Sequence, residues 1–359
     1  MVPRILAAAC AAAAFVFCPA TQAAVDYKIV TASERGTYIQ IGNDLARFVA
    51  PDADIALQVL PSKGSADNVS RLRYDTGVKF AIVQSDVYQA FLDHAAEGNA
   101  EAGRLIRPLR VIVPLYNEEI YFIVRADSSL QFVHEIKGSR INVGPIGSGT
   151  AMSATTIYRL MYSEPLTEAD SRFMSNEDAL VKLVTDKSVD VVAIVAGQPA
   201  RLLAEMKPEA RQLVRLLKVD PAHPATRAAL RTYVPATIRS ASYPNWLEND
   251  VPGLAVKAFL VTYDYTYKPT IEHLTKFARA LCQNFGVLQT EGHPKWRDVD
   301  LTLPLSLGTG WLYYAPVERV LRGCAAGTTT APAAAPPPAA SKPSNCGQTE
   351  RVLGICRGP

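Results

Sequence analysis

The sequence predicts an α/β protein of two lobes set around a central cleft, and three observations carry the prediction. Apolar, β-branched runs alternate with helical periodicity three times before Arg107, the pattern of a parallel sheet covered by helices. A second series of the same kind begins after Arg125, beyond the extended runs "LRVIVPLY" and "EEIYFIVR". Near Val256 the chain returns to an extended run, "VKAFLVTYDY". It therefore crosses between lobes twice, leaving the first near Ile120 and re-entering it near Val256.

Taken in order, "YKIVTAS" is a strand, and the helix after it carries Ile41, Leu45, Phe48 and Val49 on one face. "DIALQVLPS" is the next strand, followed by a helix from about Ser65. "KFAIVQSD" is the third, followed by a helix through Phe91. In the second series "RINVGPIGSG" is a strand and loop, and Ala154, Ile157 and Met161 mark one face of the following helix. "NEDALVKLV" is a helix capped by Ser175 or Asn176, "VDVVAIVAG" a buried strand, and a helix from Pro199 leads to the strand "LVRLLKV". A long helix then presents Ile271, Leu274, Ala278, Leu281, Phe285 and Leu288 at spacings of three and four. The expected lobes are residues 24–122 with 252–324, and residues 123–251. Open α/β sheets bind ligands beyond the carboxyl ends of their strands, so the loops after the strands should line the cleft.

The two ends of the chain are of another kind. Residues 1–23 read as a signal peptide: Arg4 supplies a positive charge, "ILAAACAAAAFVFC" a short apolar core, and "PATQA" a small-residue cleavage site after Ala23. The core is shorter than the roughly 20 residues of a membrane span, and the bulky Phe17 before Cys18 disfavours a lipid anchor. The expected location is the periplasm. Four cysteines remain after cleavage, Cys282, Cys324, Cys346 and Cys356, and in an oxidising compartment they permit three pairings. The simplest is Cys282–Cys324 with Cys346–Cys356. Residues 325–345, rich in Ala, Pro and Thr, read as a disordered linker, and residues 346–359 as a short cysteine-closed tail. A net charge of +3 with no basic cluster excludes a nucleic-acid partner, and a monomer is expected.

Function must then come from the loops. In "VGPIGSGTAMSATTIYRLM" the glycines Gly144, Gly147 and Gly149 admit close approach of a ligand, while Ser148 or Thr150 caps the helix. The free N–H groups of such a helix start favour an anion. An ordinary turn whose Ser148 caps its own helix would read the same way. The loop "ASERGTYIQIG", with Ser33, Gly36 and Thr37, and the loop "PSKGSADN", with Gly64, Ser65 and Asn68, have the same build. "VQSD" places Gln84 and Ser85 at a strand end, "VAGQPA" places Gly197 and Gln198 at another, and Tyr116 follows "VIVPL". No Gly-Lys-Ser/Thr follows the main loop, and Ser148 lacks flanking glycines two residues away on both sides, so neither a P-loop nor a nucleophile elbow is present. The five histidines are scattered, there is no HExxH or CxxC motif, and the pair Glu118 and Glu119 reads as solvated. No catalytic residue, metal site or cofactor is expected; the pattern favours binding.

Several segments, read in order, resemble the TAXI family of extracytoplasmic solute receptors that serve TRAP-type transporters. They are "ERGTYIQIGNDLARFV", "GSADNVSRLRYDTGVKFAIVQSDVYQAF", "LRVIVPLYNEEIYFIVRADSSL", "IKGSRINVGPIGSGTAMSA" and "VPGLAVKAFLVTYDY". The likeness covers roughly Val25 to Arg322, and "AIVQSDV" and "NVGPIGSGT" are its most specific parts. It implies a type II periplasmic-binding-protein fold that closes on a small carboxylate or amino acid, dicarboxylate or glutamate-like, and hands it to a TRAP-type membrane subunit. Matching motifs make Gly36, Thr37, Tyr38, Ser65, Gln84, Ser85, Tyr116, Ser148, Gly149 and Thr150 the ligand-binding positions, and Gln198 joins them from the strand-end reading. Two departures stand out: Gln198 where the family tends to carry glycine, and "LPLSLGTGWLYYAPVERVL", with an aromatic insert of Trp311, Tyr313 and Tyr314. A ligand sensor feeding a signalling partner, or an exported enzyme on the same fold, are the alternative readings.

Overall fold

In the computed structural model, which describes residues 23–308, 310–324, 349 and 352–353, one mixed sheet runs through the whole molecule. The chain begins with β1 (Val25–Val30), α1 (Thr37–Phe48), β2 (Ile55–Leu60), α2 (Ser65–Tyr74), β3 (Val78–Gln84), α3 (Asp86–Ala96) and α4 (Ala100–Ile106). The long β4 (Leu109–Arg125) leads into β5 (Ile141–Asn142), α5 (Gly149–Tyr162), β6 (Ser171–Arg172), α6 (Asn176–Val184), β7 (Val191–Ala196) and α7 (Arg201–Ala204). Then come β8 (Val214–Leu216), α8 (Pro224–Ala229), β9 (Val234–Ile238), β10 (Val251–Tyr263), α9 (Lys268–Glu291) and α10 (Ala315–Leu321).

The strand order is β2-β1-β3-β10-β4-β7-β5-β6, with β8 on β4 and β9 on β10. Read inward from either edge it shows one plan: three parallel strands, then a long antiparallel one. The expected parallel sheet is therefore mixed. The cause is that β4 and β10 pair antiparallel with each other and serve both halves. Seventeen residues at about 3.3 Å each reach some 55 Å, enough to traverse both. The two extended runs expected around residues 109–125 are this one strand. Pro114, which has no N–H to donate, lies opposite Phe259 beside a register shift, which is how a central strand accommodates it.

Both faces of the sheet are covered, which is why the strands read as unbroken apolar runs. Along β4, Ile120, Phe122 and Val124 pack with Ile157, Tyr158 and Tyr233 in one layer. Tyr121 and Ile123 face the opposite layer with Leu180, Ile194 and Trp246. In the other half Ile29, Ile41, Phe80, Phe277 and Trp296 form one layer, and Val30, Val69, Phe259 and Trp311 the other. Trp311 and Tyr314, from the aromatic insert, are core residues here: Trp311 packs on Tyr88 and Phe259 and donates its indole N–H to the Ser85 carbonyl at 2.8 Å. Cys282 on α9 and Cys324 beyond α10 are joined by a disulfide, with Cα atoms 5.7 Å apart. Leu353 is buried against the layer of Leu202 and Met206, and Lys207 donates its N–H to the Val352 carbonyl. The expected signal peptide, apart from Ala23, the expected linker over residues 325–345 and the expected Cys346–Cys356 pairing lie outside the described residues.

Candidate functional site

Every βα turn in a parallel unit brings a helix start to the carboxyl edge of the sheet. Four of these starts meet here. The first turns of α1 (Gly36, Thr37, Tyr38), α2 (Gly64, Ser65), α5 (Ser148, Gly149, Thr150) and α6 (Ser175, Asn176, Glu177) line one cleft of about 240 Å³ between the halves. Gly64 has φ +122°, a conformation open to glycine, and its Cα faces the Gly149 backbone across the cleft. A Cβ on Gly149 would lie 1.9 Å from Gln84 Oε1 and 2.7 Å from Ser65 Oγ. Asp67 donates its N–H to the Gly147 carbonyl at 3.1 Å, so the two loops also touch directly.

Most hydroxyls at these helix starts are already engaged. Ser148 Oγ caps α5 by accepting the Ala151 N–H at 3.0 Å, and Ser175 Oγ accepts the Asp178 N–H at 3.1 Å. Thr150 Oγ1 accepts the Val195 N–H at 3.2 Å, and Thr37 Oγ1 donates to the Gly197 carbonyl at 3.0 Å. Ser65 Oγ accepts the Gln84 N–H at 3.1 Å and also meets the Tyr38 phenol. What remains for a ligand is chiefly backbone N–H at positive helix ends, the chemistry of an anion seat. Gln84 is 3% exposed at the end of β3, and its side-chain carbonyl has no partner among the described residues. The Asn176 carbonyl is likewise buried and unpartnered. Ile194, Ala200, Leu202 and Leu203 supply an apolar wall.

Glu118 and Glu119 are not solvated: they are 3% and 4% exposed. Glu118 lines the cleft and accepts the Tyr38 phenol at 2.5 Å. Burial pushes its carboxyl up to about 8, against the pull of the Tyr38 hydrogen bond, so it carries a proton at neutral pH. Glu119 points the other way, accepting both Gln198 N–H groups and the buried Lys295 ammonium at 2.8 Å. At the mouth, Arg35 pairs with Glu177 and Glu205, and the exposed Lys63 runs beside Gly147.

Of the positions named from sequence, Gly36, Thr37, Tyr38, Ser65, Gln84, Ser148, Gly149 and Thr150 lie together in this cleft. Ser85, Tyr116 and Gln198 do not line it. Ser85 turns its backbone to Lys257 and Trp311 as the cap position of α3. Tyr116 is fully buried behind Gly197, with the Lys295 ammonium over its ring. Gln198 is held by Glu119, the Thr237 carbonyl and the Arg239 N–H, on a separate pocket beside β9, Lys295 and Asp298. The sequence reading missed Glu118, the α6 start and the apolar wall. Ser175 was legible as a cap, but its place in the cleft depends on how α6 packs.

The solved structures similar to this chain include the alkanesulfonate-binding protein SsuA from Xanthomonas axonopodis pv. citri bound to MOPS. It is 14% identical, with 83% of each chain covered and a TM-score of 0.42. The periplasmic binding protein BugD is also 14% identical, over 76% of this chain and 84% of its own, with a TM-score of 0.45. These likenesses are remote, and nothing about ligands passes from them to this chain. The match to a family model is more extensive: it runs from residue 29 to residue 291, through all four helix starts of the cleft, and the chain belongs to the NMT1-like family.

Proposed function

We propose that the protein is a periplasmic solute receptor that closes on a small organic anion, a carboxylate or an amino acid, and releases it unchanged to a TRAP-type membrane transporter. The observation that carries the reading is the convergence of four helix first turns on one cleft between two halves, their hydroxyls mostly engaged and their backbone N–H groups left for a ligand. The carboxylate sits on the N–H groups of Gly149 and Thr150, since that of Ser148 already donates to the Pro145 carbonyl; an N–H or O–H of the solute meets the unpartnered Gln84 carbonyl, and its hydrocarbon part lies along Leu202 and Leu203. Hydrogen bonds to a charged group contribute about 1.5–3 kcal/mol each, so three or four reach the roughly −8 kcal/mol of micromolar binding. The export signal read in residues 1–23 and the TAXI-like segments support the location and the transporter partner.

The test is native mass spectrometry of the purified protein for a co-purifying small molecule, followed by calorimetry with short dicarboxylates, 2-oxo acids and amino acids. A bound compound recovered chemically intact, with micromolar or tighter affinity for one of these classes, is the expected result. An empty protein that binds none of them, or one that returns a chemically altered compound, overturns the reading.

A further inference from the structure

Asp86 opens α3 in the first half and lies outside the cleft, yet its carboxylate is held by the second half. Its Oδ2 accepts the Ser153 hydroxyl, on α5, at 2.6 Å and the Tyr233 phenol, between α8 and β9, at 2.9 Å. Its other oxygen is buried without a side-chain partner, the Asp86 and Val87 N–H groups of its own helix add to its support, and among the described residues no cation touches it. A carboxylate at the first position of a helix is ordinarily satisfied by that helix's own N–H groups and by water. Burying it under two hydroxyls of another half, out of water and with no cation beside it, is costly unless the contact itself has a use.

Its position shows the use. Asp86 follows Gln84 by two residues, and Ser153 follows Thr150 by three, one helical turn below the anion seat. The Asp86–Ser153 bond therefore sets the end of β3 against the first turn of α5, the register that brings Gln84 onto Gly149. Separation of the halves would take Asp86 away from both hydroxyls and return it to water. We propose that Asp86 is a positioning residue that latches the two halves together from outside the cleft, through the chain's own Ser153 and Tyr233 and without a contribution from the solute. The latch rests on reading the cleft as a site that opens and shuts, but it is tested without any solute.

Small-angle scattering and hydrogen exchange are measured on the full-length chain, dialysed free of small molecules, for wild type, Asp86→Ala, Asp86→Asn and Tyr233→Phe. Wild type is expected to scatter as the closed arrangement. Asp86→Ala raises the radius of gyration and speeds amide exchange at residues 64–68 and 147–151 by about a hundredfold or more, the ratio for losing two hydrogen bonds to a charged group. Tyr233→Phe moves both readouts the same way by less, and Asp86→Asn, which keeps an acceptor, stays compact. Wild type that scatters as an open form overturns the latch. So do variants that lose thermal stability with unchanged scattering and unchanged exchange at those amides. Should Asp86→Ala fail to fold, Tyr233→Phe, which deletes a hydroxyl and keeps the ring, decides the matter. Opening of the variants in a protein that binds none of the carboxylates or amino acids would sink the receptor reading and leave the latch standing; binding with no opening does the reverse.

Discussion

Gly149 and Glu118 show how single residues set what the cleft can hold. At Gly149 the absent Cβ is what lets Gln84 and Ser65 approach the first turn of α5. In Gly149→Ala either Gln84 swings away or the halves part, and both lose contacts to the solute. Affinity measured by calorimetry is expected to fall roughly a hundredfold or more, the equivalent of two hydrogen bonds to a charged group. Glu118 makes a pH prediction. Its carboxyl is raised by burial from 4.5 to about 8, so between those values the folded chain holds a proton that the unfolded chain has released. Its contribution to stability is thus fully present below about 4.5 and is lost as pH rises toward about 8. Above that, a carboxylate in the cleft also repels an anion. Urea midpoints should fall less steeply with pH in Glu118→Gln, and the loss of anion affinity above pH 8 should disappear in it. Equal slopes in the two proteins would show that Glu118 does not titrate there. Neither residue's role was legible from neighbours in the chain. Gly149 reads as loop chemistry, and Glu118 reads as surface charge because its partner Tyr38 is eighty residues away.

At the scale of elements, long periodic segments were legible and short ones were not. The faces named for α1, α5 and α9 are the buried ones, because a helix that spans several turns must repeat its apolar stripe to pack at all. The strand β9 went unread: it lies at an edge, contains Pro235 and is mostly exposed, so it lacks an apolar signature. Helices α4, α7 and α8 are one or two turns long and carry too few residues to show a period. The Cys282–Cys324 bridge ties α9 to the chain just past α10 and closes a loop with a sequence separation of 42. Its removal in Cys282→Ala/Cys324→Ala is expected to cost about 3–4 kcal/mol, read as a lower urea midpoint with unchanged solute affinity. An unchanged midpoint would mean that the unfolded chain is not constrained by it.

For the molecule as a whole, the important feature is that β4 and β10 belong to both halves, so the halves around the cleft are joined by two strands. Beside the cleft, the buried Lys295 ammonium joins Glu119 and Asp298, with Gln198 held on the same Glu119. Removing one partner of a buried pair leaves an uncompensated charge, so Lys295→Met is expected to destabilise by about 3–5 kcal/mol, with the double change Lys295→Met/Glu119→Gln recovering part of the loss. Chemical denaturation of wild type, Lys295→Met, Glu119→Gln and the double variant checks it. The chain's end also enters the fold. Leu353 fills the layer behind Leu202 and Leu203, which themselves wall the cleft, and Leu353→Ala should cost about 2–5 kcal/mol in the same assay. A value near zero would mean that the segment does not dock.

Sequence alone determined the α/β class, the alternation of the two series and the helix starts that bear hydroxyls and glycines, and it made Cys282–Cys324 the simplest of three pairings. Each of these is local, or a repeat along the chain, and hydrophobic periodicity or turn chemistry records it. Only the tertiary structure decided which loops share a cleft, that Ser85, Tyr116 and Gln198 face elsewhere, and that Glu118 is buried and Asp86 reaches Ser153 and Tyr233. Those outcomes depend on residues brought together from distant parts of the chain when β4 and β10 pair, and on the water that pairing excludes.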